Sequence, residues 1–138
     1  SLFFTAGVHP HDAKSWRTPE TALALRNLTT DPLCVAIGEC GLDFHRNFSP
    51  PEAQEACFKA QLELACELGL PLFCHERDAF DRFTAILQPF LRNSILPPLV
   101  VHCFTGSTSQ AAAYLALDDR ISIGFTGTVC MAERGKEL

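Results

Sequence analysis

The 138-residue sequence predicts an α/β fold with a parallel sheet. Short apolar runs alternate with longer helical patterns along the whole chain, which is the order expected of βαβ units. The runs lack the in-and-out alternation of a half-exposed strand, and this is typical of strands buried on both faces of a parallel sheet. With 47% hydrophobic and 20% charged residues, the composition is that of a globular protein and excludes a disordered chain.

Five strands are predicted from the apolar runs at residues 2–8, 33–37, 70–74, 99–103 and 121–125. Strands that alternate with helices favour right-handed crossovers between parallel neighbours. Five such units fit either an open α/β sheet or about five eighths of a (β/α)8 barrel, which typically needs about 250 residues.

The first two helices are predicted from their start and stop signals. Thr18 resembles an N-cap followed by Pro19 at the first helical position. Ser49 and Glu52 have the spacing of a capping box. The helix that follows ends at Gly69, a natural left-handed stop. Its apolar positions recur at helical spacing: Ala53, Cys57, Ala60, Leu64 and Leu68.

The remaining two helices follow the third and fourth strands. Apolar positions at helical spacing predict the first of them: Phe80, Phe83, Ile86, Leu87 and Phe90. Ser107 and Gln110 form a second capping box, which opens the other helix. The chain starts inside an apolar run and stops in what resembles a first helical turn at residues 135–138. We therefore expect residues 1–138 to be a partial domain, truncated at both ends.

Charge and cysteine content narrow the possible functions. The chain has 11 Lys and Arg against 16 Asp and Glu, a net charge of −5, so binding of nucleic acid by blanket phosphate neutralisation is excluded and any such role needs a local site. Seven cysteines without a two-residue gap indicate reduced thiols and a cytoplasmic location. No apolar run approaches the ~18 residues of a membrane span.

Candidate ligands follow four of the predicted strands. His9, Glu39, His75 and His102 come at or just after strands one to four. Parallel strands bring their carboxyl ends to one rim, so these side chains are expected to meet there. Imidazoles and a carboxylate that face one another make a divalent-metal site. A lone strand-end histidine is more often a structural hydrogen-bonding group, but four such residues in succession favour the metal site.

Four further residues have weaker functional interpretations. Asp43, four residues after Glu39, is expected to orient a ligand or a water, and a loop cap is equally compatible. Arg77 is a candidate for substrate phosphate, against a simple ion pair at the rim. His11 is a second substrate-binding candidate, against a solvent-facing loop residue. His45 is expected to lie on the surface.

Five motifs together resemble the TatD-type metal-dependent nucleases of the amidohydrolase-like barrels. They are Ala-Gly-Val-His-Pro-His at 6–11, Ala-Ile-Gly-Glu-Cys-Gly-Leu-Asp-Phe at 36–44, Cys-His-Glu-Arg-Asp-Ala at 74–79, His-Cys-Phe-Thr-Gly at 102–106 and Ile-Gly-Phe-Thr-Gly at 123–127. The likeness covers essentially the whole chain, in order, and is greatest to the bacterial branch of the family. It implies a (β/α)8 TIM barrel with about five of its eight βα units present.

The resemblance also implies a function. The family's metal-binding residues fall on Glu39, His75 and His102, and His9 falls on an active-site histidine, so Glu39 and His9 are expected to be catalytic. The implied activity is phosphodiester hydrolysis, as a 3′–5′ exonuclease on single-stranded DNA or RNA, with one or two divalent ions. Mg²⁺ is expected, with Mn²⁺ or Zn²⁺ as alternatives.

Two departures from the family pattern keep alternatives open. The family's early Asp-x-His motif and its closing Glu-Thr-Asp-Ala-Pro motif, which carries another metal-binding aspartate, do not occur in these 138 residues. One alternative is an amidohydrolase or lactonase on the same barrel. The other is a catalytically inactive fragment.

Overall fold

The computed structural model describes residues 2–93 and 95–131. Five parallel strands form one sheet in chain order, a curved part of a barrel, and the predicted α/β class is confirmed. The strands are β1 (Phe4–Ala6), β2 (Cys34–Asp43), β3 (Leu72–Arg77), β4 (Leu99–Val101) and β5 (Ile121–Ile123). Each parallel pair is joined through a helix, as the alternation of patterns predicts.

Four α-helices connect the strands. They are α1 (Glu20–Leu28), α2 (Pro51–Leu68), α3 (Phe80–Arg92) and α4 (Thr108–Leu117). Two short 3₁₀ helices, at Pro10–Ser15 after β1 and Gly127–Cys130 after β5, were not predicted because six and four residues carry no usable periodicity. The helical turn expected at residues 135–138 lies outside the described residues.

Two of the four predicted helix signals are confirmed. Gly69 ends α2 in the left-handed conformation with φ of 66°. The Ser107 hydroxyl accepts from the Gln110 backbone while the Gln110 side chain accepts from the Ser107 backbone, which is the reciprocal capping box that the sequence predicts.

The other two signals are wrong. Ser49 makes no capping box with Glu52, because its hydroxyl accepts from the Lys14 backbone and donates to the His11 carbonyl instead. Thr18 is not the N-cap of α1, since that position is taken by Pro19, which makes no side-chain cap. In both cases a tertiary contact or a proline occupies the place assigned to a local signal.

The core lies between the helices and the outer face of the sheet. Its largest fully buried side chains include Phe58 of α2, Phe83 of α3 and Tyr114 of α4. The Phe58 and Phe83 rings stack at 4.7 Å, and Tyr114 meets Phe83 edge-on at 5.9 Å. Aromatic packing therefore links three consecutive helices across the back of the sheet.

The buried face of α2 differs from the predicted one. Of the five apolar positions expected to face the core, Cys57 and Leu64 are buried, whereas the others are only partly covered. The remaining buried positions of α2 are Gln54, Phe58, Gln61, Leu62 and Ala65. The face is rotated because two glutamines lie inside it, each with backbone partners that are described below.

Among residues 2–93 and 95–131, no helix combines the length and apolarity needed to cross a bilayer. All seven cysteines are free thiols.

Candidate metal centre

One carboxylate oxygen at the carboxyl rim of the sheet faces three imidazoles. Glu39 Oε1 lies 2.6 Å from His102 Nε2, 3.2 Å from His75 Nδ1 and 3.4 Å from His9 Nε2. These residues come from β2, from β3 and from the segments that follow β4 and β1. The four strand-end residues singled out from the sequence therefore converge on one point of the rim. Glu39 and His102, which make the shortest contact, are 63 residues apart in the sequence.

A bulge in β2 places Glu39 there. The parallel register pairs Gly38 with Phe73 and Cys40 with Cys74, which leaves Glu39 without a partner on β3. Bulges of this kind re-aim a side chain and are common beside active sites. Gly38 has φ of 148°, and a Cβ there would collide with the Phe73 carbonyl, so the bulge requires glycine at this position.

Two of the five strands extend beyond their predicted ends, and β1, β4 and β5 are shorter than predicted. β2 continues past Glu39 to Asp43, and β3 continues past His75 to Arg77, whereas β1 and β4 end before His9 and His102. The prediction stopped the apolar run of β2 at residue 37 because Gly38 and Glu39 interrupt it. The longer strands hold Glu39, at its bulge, and His75 within the sheet rather than on loops.

The pKa values of Glu39 and His75 are each shifted by contacts with the other residue. Hydrogen bonds from His75 and His9 hold the pKa of Glu39 far below its usual range, although burial acts to raise that pKa. Burial alone lowers the pKa of His75, but its contacts with Glu39 and Asp43 outweigh this and raise that pKa above its usual value. His75 therefore lies between two carboxylates, and both of them favour its protonated form.

Asp43 is the second of these carboxylates. Its Oδ2 lies 2.8 Å from His11 Nε2 and 3.2 Å from His75 Nε2, and its side chain is only 1% exposed. Its Oδ1 accepts from the backbone N–H groups of His45 and Arg46. Burial acts to raise the pKa of Asp43, but the His11 hydrogen bond and the other contacts lower it overall. Both oxygens are thus satisfied within the protein.

The Asp43 contact also sets the orientation of His75. With Nε2 against Asp43, the imidazole turns Nδ1 toward Glu39. Histidines that bind metals commonly have their second nitrogen fixed by a carboxylate in this way. The His75 contact is compatible with the orienting role predicted for Asp43, and the two backbone contacts of Oδ1 are those of the loop-cap alternative.

The donor atoms suit a divalent cation. Ligand atoms of His9, Glu39 and His75 all lie within 4.8 Å of one another, a spacing from which one ion can be reached by all three. His102 contacts the same Glu39 oxygen through Nε2, and the centroid of its ring lies 4.4 Å from that of Phe73, on which it stacks. Imidazole nitrogens and a carboxylate oxygen form a donor set that can hold a divalent metal ion.

The other predicted residues lie around this centre. The ring of His11 meets that of His9 at 4.3 Å, and its Nε2 contacts Asp43, so this nitrogen is engaged inside the protein rather than open to solvent. Arg77 lines a small polar cavity with Thr105, Gly106 and neighbouring residues at the rim. His45 is exposed and pairs with Asp78 at 2.9 Å, which confirms its predicted surface position.

Two buried residues that contact the segments carrying the centre were not predicted. Gln54 and Gln61 of α2 are fully buried, and their side-chain amides bind the backbone of Asp43 and of Val8, next to His9. The sequence carries a signal for these two residues. Positions 54, 58, 61 and 65 recur at helical spacing, as a buried helix face does, and two of the four are glutamines. A buried amide requires partners, so glutamines on that face predict a contact with free backbone groups.

Solved structures share this fold. An uncharacterized amidohydrolase from Saccharomyces cerevisiae superimposes with a TM-score of 0.80 at 28% identity, over 92% of this chain and 49% of that chain. A TatD homologue from Escherichia coli K12 gives a TM-score of 0.80 at 29% identity, over 96% of this chain and 49% of that chain. The fold and the His/Glu group together define an amidohydrolase-like, metal-dependent barrel.

Residues 1–138 match the family described as TatD related DNase, and the chain belongs to that family. The chain is 56% identical over 134 residues to the 3′-5′ ssDNA/RNA exonuclease TatD of Klebsiella pneumoniae (strain 342), covering 97% of this chain and 49% of the relative. It is 57% identical over 134 residues to the protein of the same name from Erwinia billingiae (strain Eb661), with the same coverage. The chain spans about half the length of these curated relatives.

Proposed function

We propose that the chain is the metal-binding part of a nuclease that hydrolyses phosphodiester bonds, acting from the 3′ end of single-stranded DNA or RNA. The observation that carries the proposal is the cluster of three imidazoles around the single Glu39 oxygen at the sheet rim. The names of the relatives that are 56% and 57% identical support the substrate class and the polarity.

Glu39, His9, His75 and His102 are the residues that would hold one or two divalent ions, Mg²⁺ or alternatively Mn²⁺ or Zn²⁺. Such an ion, when bound, lowers the pKa of water and neutralises phosphate oxygens. Glu39 is 32% exposed on its side chain, so it is open to both ion and substrate. His75 must lose its proton to bind a metal, and Asp43 stays in place to orient the neutral ring.

Arg77 is proposed to contact a substrate phosphate. It lines the polar cavity beside β3, together with Thr105 and Gly106 after β4. A guanidinium binds phosphate oxygens with paired donors, which gives the acidic chain a local site for a nucleic acid. His11, with Nε2 on Asp43, is proposed to border the same substrate path. A cytoplasmic location is proposed as well, supported by the seven free thiols.

The test is degradation of a single-stranded oligonucleotide labelled at the 5′ end or at the 3′ end, with Mg²⁺ or Mn²⁺ added. The proposal expects a metal-dependent release of mononucleotides from the 3′ end and loss of that release in Glu39→Gln. Arg77→Gln is expected to raise KM with less effect on kcat. Hydrolysis of lactones or amides without any cleavage of the oligonucleotide would contradict the proposal and favour the amidohydrolase alternative.

A chain that binds Mn²⁺ but cleaves neither substrate class is either one part of a nuclease or an inactive fragment. A chimeric chain resolves the two cases. The segment is joined to the remaining half of the Klebsiella pneumoniae relative, with which it shares 56% identity over the matched part. Activity in the chimera and its loss in the Glu39→Gln chimera are the expected results.

A further inference from the structure

We propose that Gln54 and Gln61 are positioning residues of the metal centre, which hold the backbone of Asp43 and Val8 so that the imidazoles face Glu39. The inference rests on the proposed metal site and adds two residues to it. Neither glutamine touches the centre itself. Both act through the chain segments that carry its side chains.

Each glutamine makes the same two-point contact. Gln61 accepts from the Val8 N–H at 2.7 Å through Oε1 and donates to the Val8 carbonyl at 3.0 Å through Nε2. Gln54 accepts from the Asp43 N–H at 2.8 Å and donates to the Asp43 carbonyl at 3.1 Å. A side-chain amide that binds both groups of one residue replaces the neighbouring strand of a sheet at that point.

The contacts occur where sheet pairing stops. β1 ends at Ala6, so Val8 lies beyond its ladder, and Asp43 is the last residue of β2. Backbone groups at such positions need partners when they are shielded from water. The two glutamines are seven residues apart on α2, about two helical turns, and therefore lie on the same side of the helix.

Each contact is transmitted to one part of the centre. Val8 precedes His9, whose Nε2 lies 3.4 Å from Glu39. Asp43 binds His75 and His11 through one oxygen. Gln61 thus controls the position of one imidazole, and Gln54 controls the carboxylate that orients two others.

Burial makes this arrangement specific. Both glutamines are 0% exposed, and every hydrogen-bonding side-chain atom that is buried in the described residues has a partner. Gln54 also donates to the Ser49 carbonyl, and Gln61 donates to the Cys57 carbonyl of its own helix. A fully buried amide lowers stability if any of its hydrogen-bond partners is lost, because a buried polar group is then left unsatisfied. An apolar residue at the same position would not carry this cost.

The experiment compares Gln61→Leu and Gln54→Leu with Phe58→Leu in the 138-residue chain. Phe58 lies on the same buried face of α2, is also 0% exposed and contributes packing through its ring stack with Phe83. Two readouts are used at a temperature where all variants are folded. They are the imidazole nitrogen resonances of the metal-free chain and the affinity for Mn²⁺.

We expect Gln61→Leu to shift the His9 resonances and Gln54→Leu to shift those of His11 and His75. Mn²⁺ affinity is expected to fall about tenfold in each, the lower end of the effect of outer-shell partners. Phe58→Leu is expected to lose stability while its resonances and its Mn²⁺ affinity stay unchanged. Should Gln61→Leu not fold, Gln61→Glu keeps an acceptor for the Val8 N–H, loses the amide donor to the Val8 carbonyl and is expected to shift the His9 resonances from those of the parent chain.

Unchanged imidazole resonances in the glutamine variants would overturn the proposal, even if the Val8 and Asp43 amides exchanged faster with solvent. Equal shifts in Phe58→Leu would overturn it too, because the effect would then be one of packing. A parent chain without Mn²⁺ binding would instead contradict the metal site. In that case the resonances of the metal-free chain still decide whether the glutamines position the imidazoles.

Discussion

Two carboxylates on β2 lie four residues apart and share the same histidine cluster, yet their surroundings differ. Glu39 is on a bulge, 32% exposed, and presents one oxygen to three imidazoles. Asp43 ends the strand, is 1% exposed, and has both oxygens bound by two imidazoles and two backbone N–H groups. His75 bridges the two carboxylates.

The difference in exposure and hydrogen bonding suits the two carboxylates to different roles in one site. A partly exposed carboxylate surrounded by imidazole nitrogens can bind a cation at little cost in desolvation. A buried carboxylate whose oxygens are all bound gains nothing from a cation and is costly to disturb. We infer that Glu39 binds and that Asp43 orients, although the two residues have similar chemistry.

The largest effect is expected for Glu39→Gln. The amide keeps the size of the side chain but removes the charge that the cation needs, so Mn²⁺ affinity should fall by more than about 100-fold, beyond the range of an outer-shell change. Isothermal titration of the parent and the variant measures this. A fall of less than threefold would contradict the assignment of Glu39 as a ligand.

Asp43→Asn is expected to cost more stability and less Mn²⁺ affinity than Glu39→Gln. Removing a buried, paired charge should lower the free energy of unfolding by about 3 kcal/mol at pH 7, while Mn²⁺ affinity falls about tenfold. Urea denaturation and Mn²⁺ titration of the two variants, run side by side, give the comparison. The account fails if Glu39→Gln costs more stability than Asp43→Asn.

The pH dependence of metal binding sharpens the comparison further. The pKa of His75 is raised by Glu39 and Asp43, so below that pKa a proton occupies the nitrogen that a cation needs. Apparent Mn²⁺ affinity should therefore rise with pH, by up to about tenfold per pH unit, and level off once His75 is neutral. In Asp43→Asn the rise should move to lower pH, because one of the two charges that raise the pKa is gone. An affinity that is flat from pH 6 to pH 8 would contradict the raised pKa of His75.

The smallest effect on stability and metal affinity is expected for Ser107→Ala, a change away from the metal centre. Ser107→Ala removes the capping box of α4 and should cost about 1 kcal/mol of stability. No change in Mn²⁺ affinity is expected, since Ser107 does not touch the centre. Thermal unfolding and Mn²⁺ titration check both parts, and a weaker metal affinity would show that loss of stability alone disturbs the site.

Much of this arrangement follows from the sequence because buried strands and amphipathic helices carry strong patterns. The order of strands and helices, the stop at Gly69 and the meeting of Glu39 with His75 and His102 were all expected on that basis. Parallel topology places the carboxyl ends of strands together, so residues far apart in sequence needed no further information to be assigned to one rim.

The parts that were missed depend on contacts rather than on patterns. The bulge at Glu39 and the continuation of β2 to Asp43 come after Gly38 and Glu39 have interrupted the apolar run, so the pattern does not mark them. Ser49 has the spacing of a cap, but a neighbouring loop uses its hydroxyl. The roles of Gln54 and Gln61 become visible only with the backbone of Asp43 and Val8 in place.

The most direct measurement is anomalous diffraction from crystals of the chain soaked in Mn²⁺. The account predicts a peak beside Glu39, within bonding distance of its carboxylate and of His9 and His75, with Asp43 still bound to the far nitrogen of His75. A peak bonded to Asp43, or Mn²⁺ at other surface acids only, would contradict it.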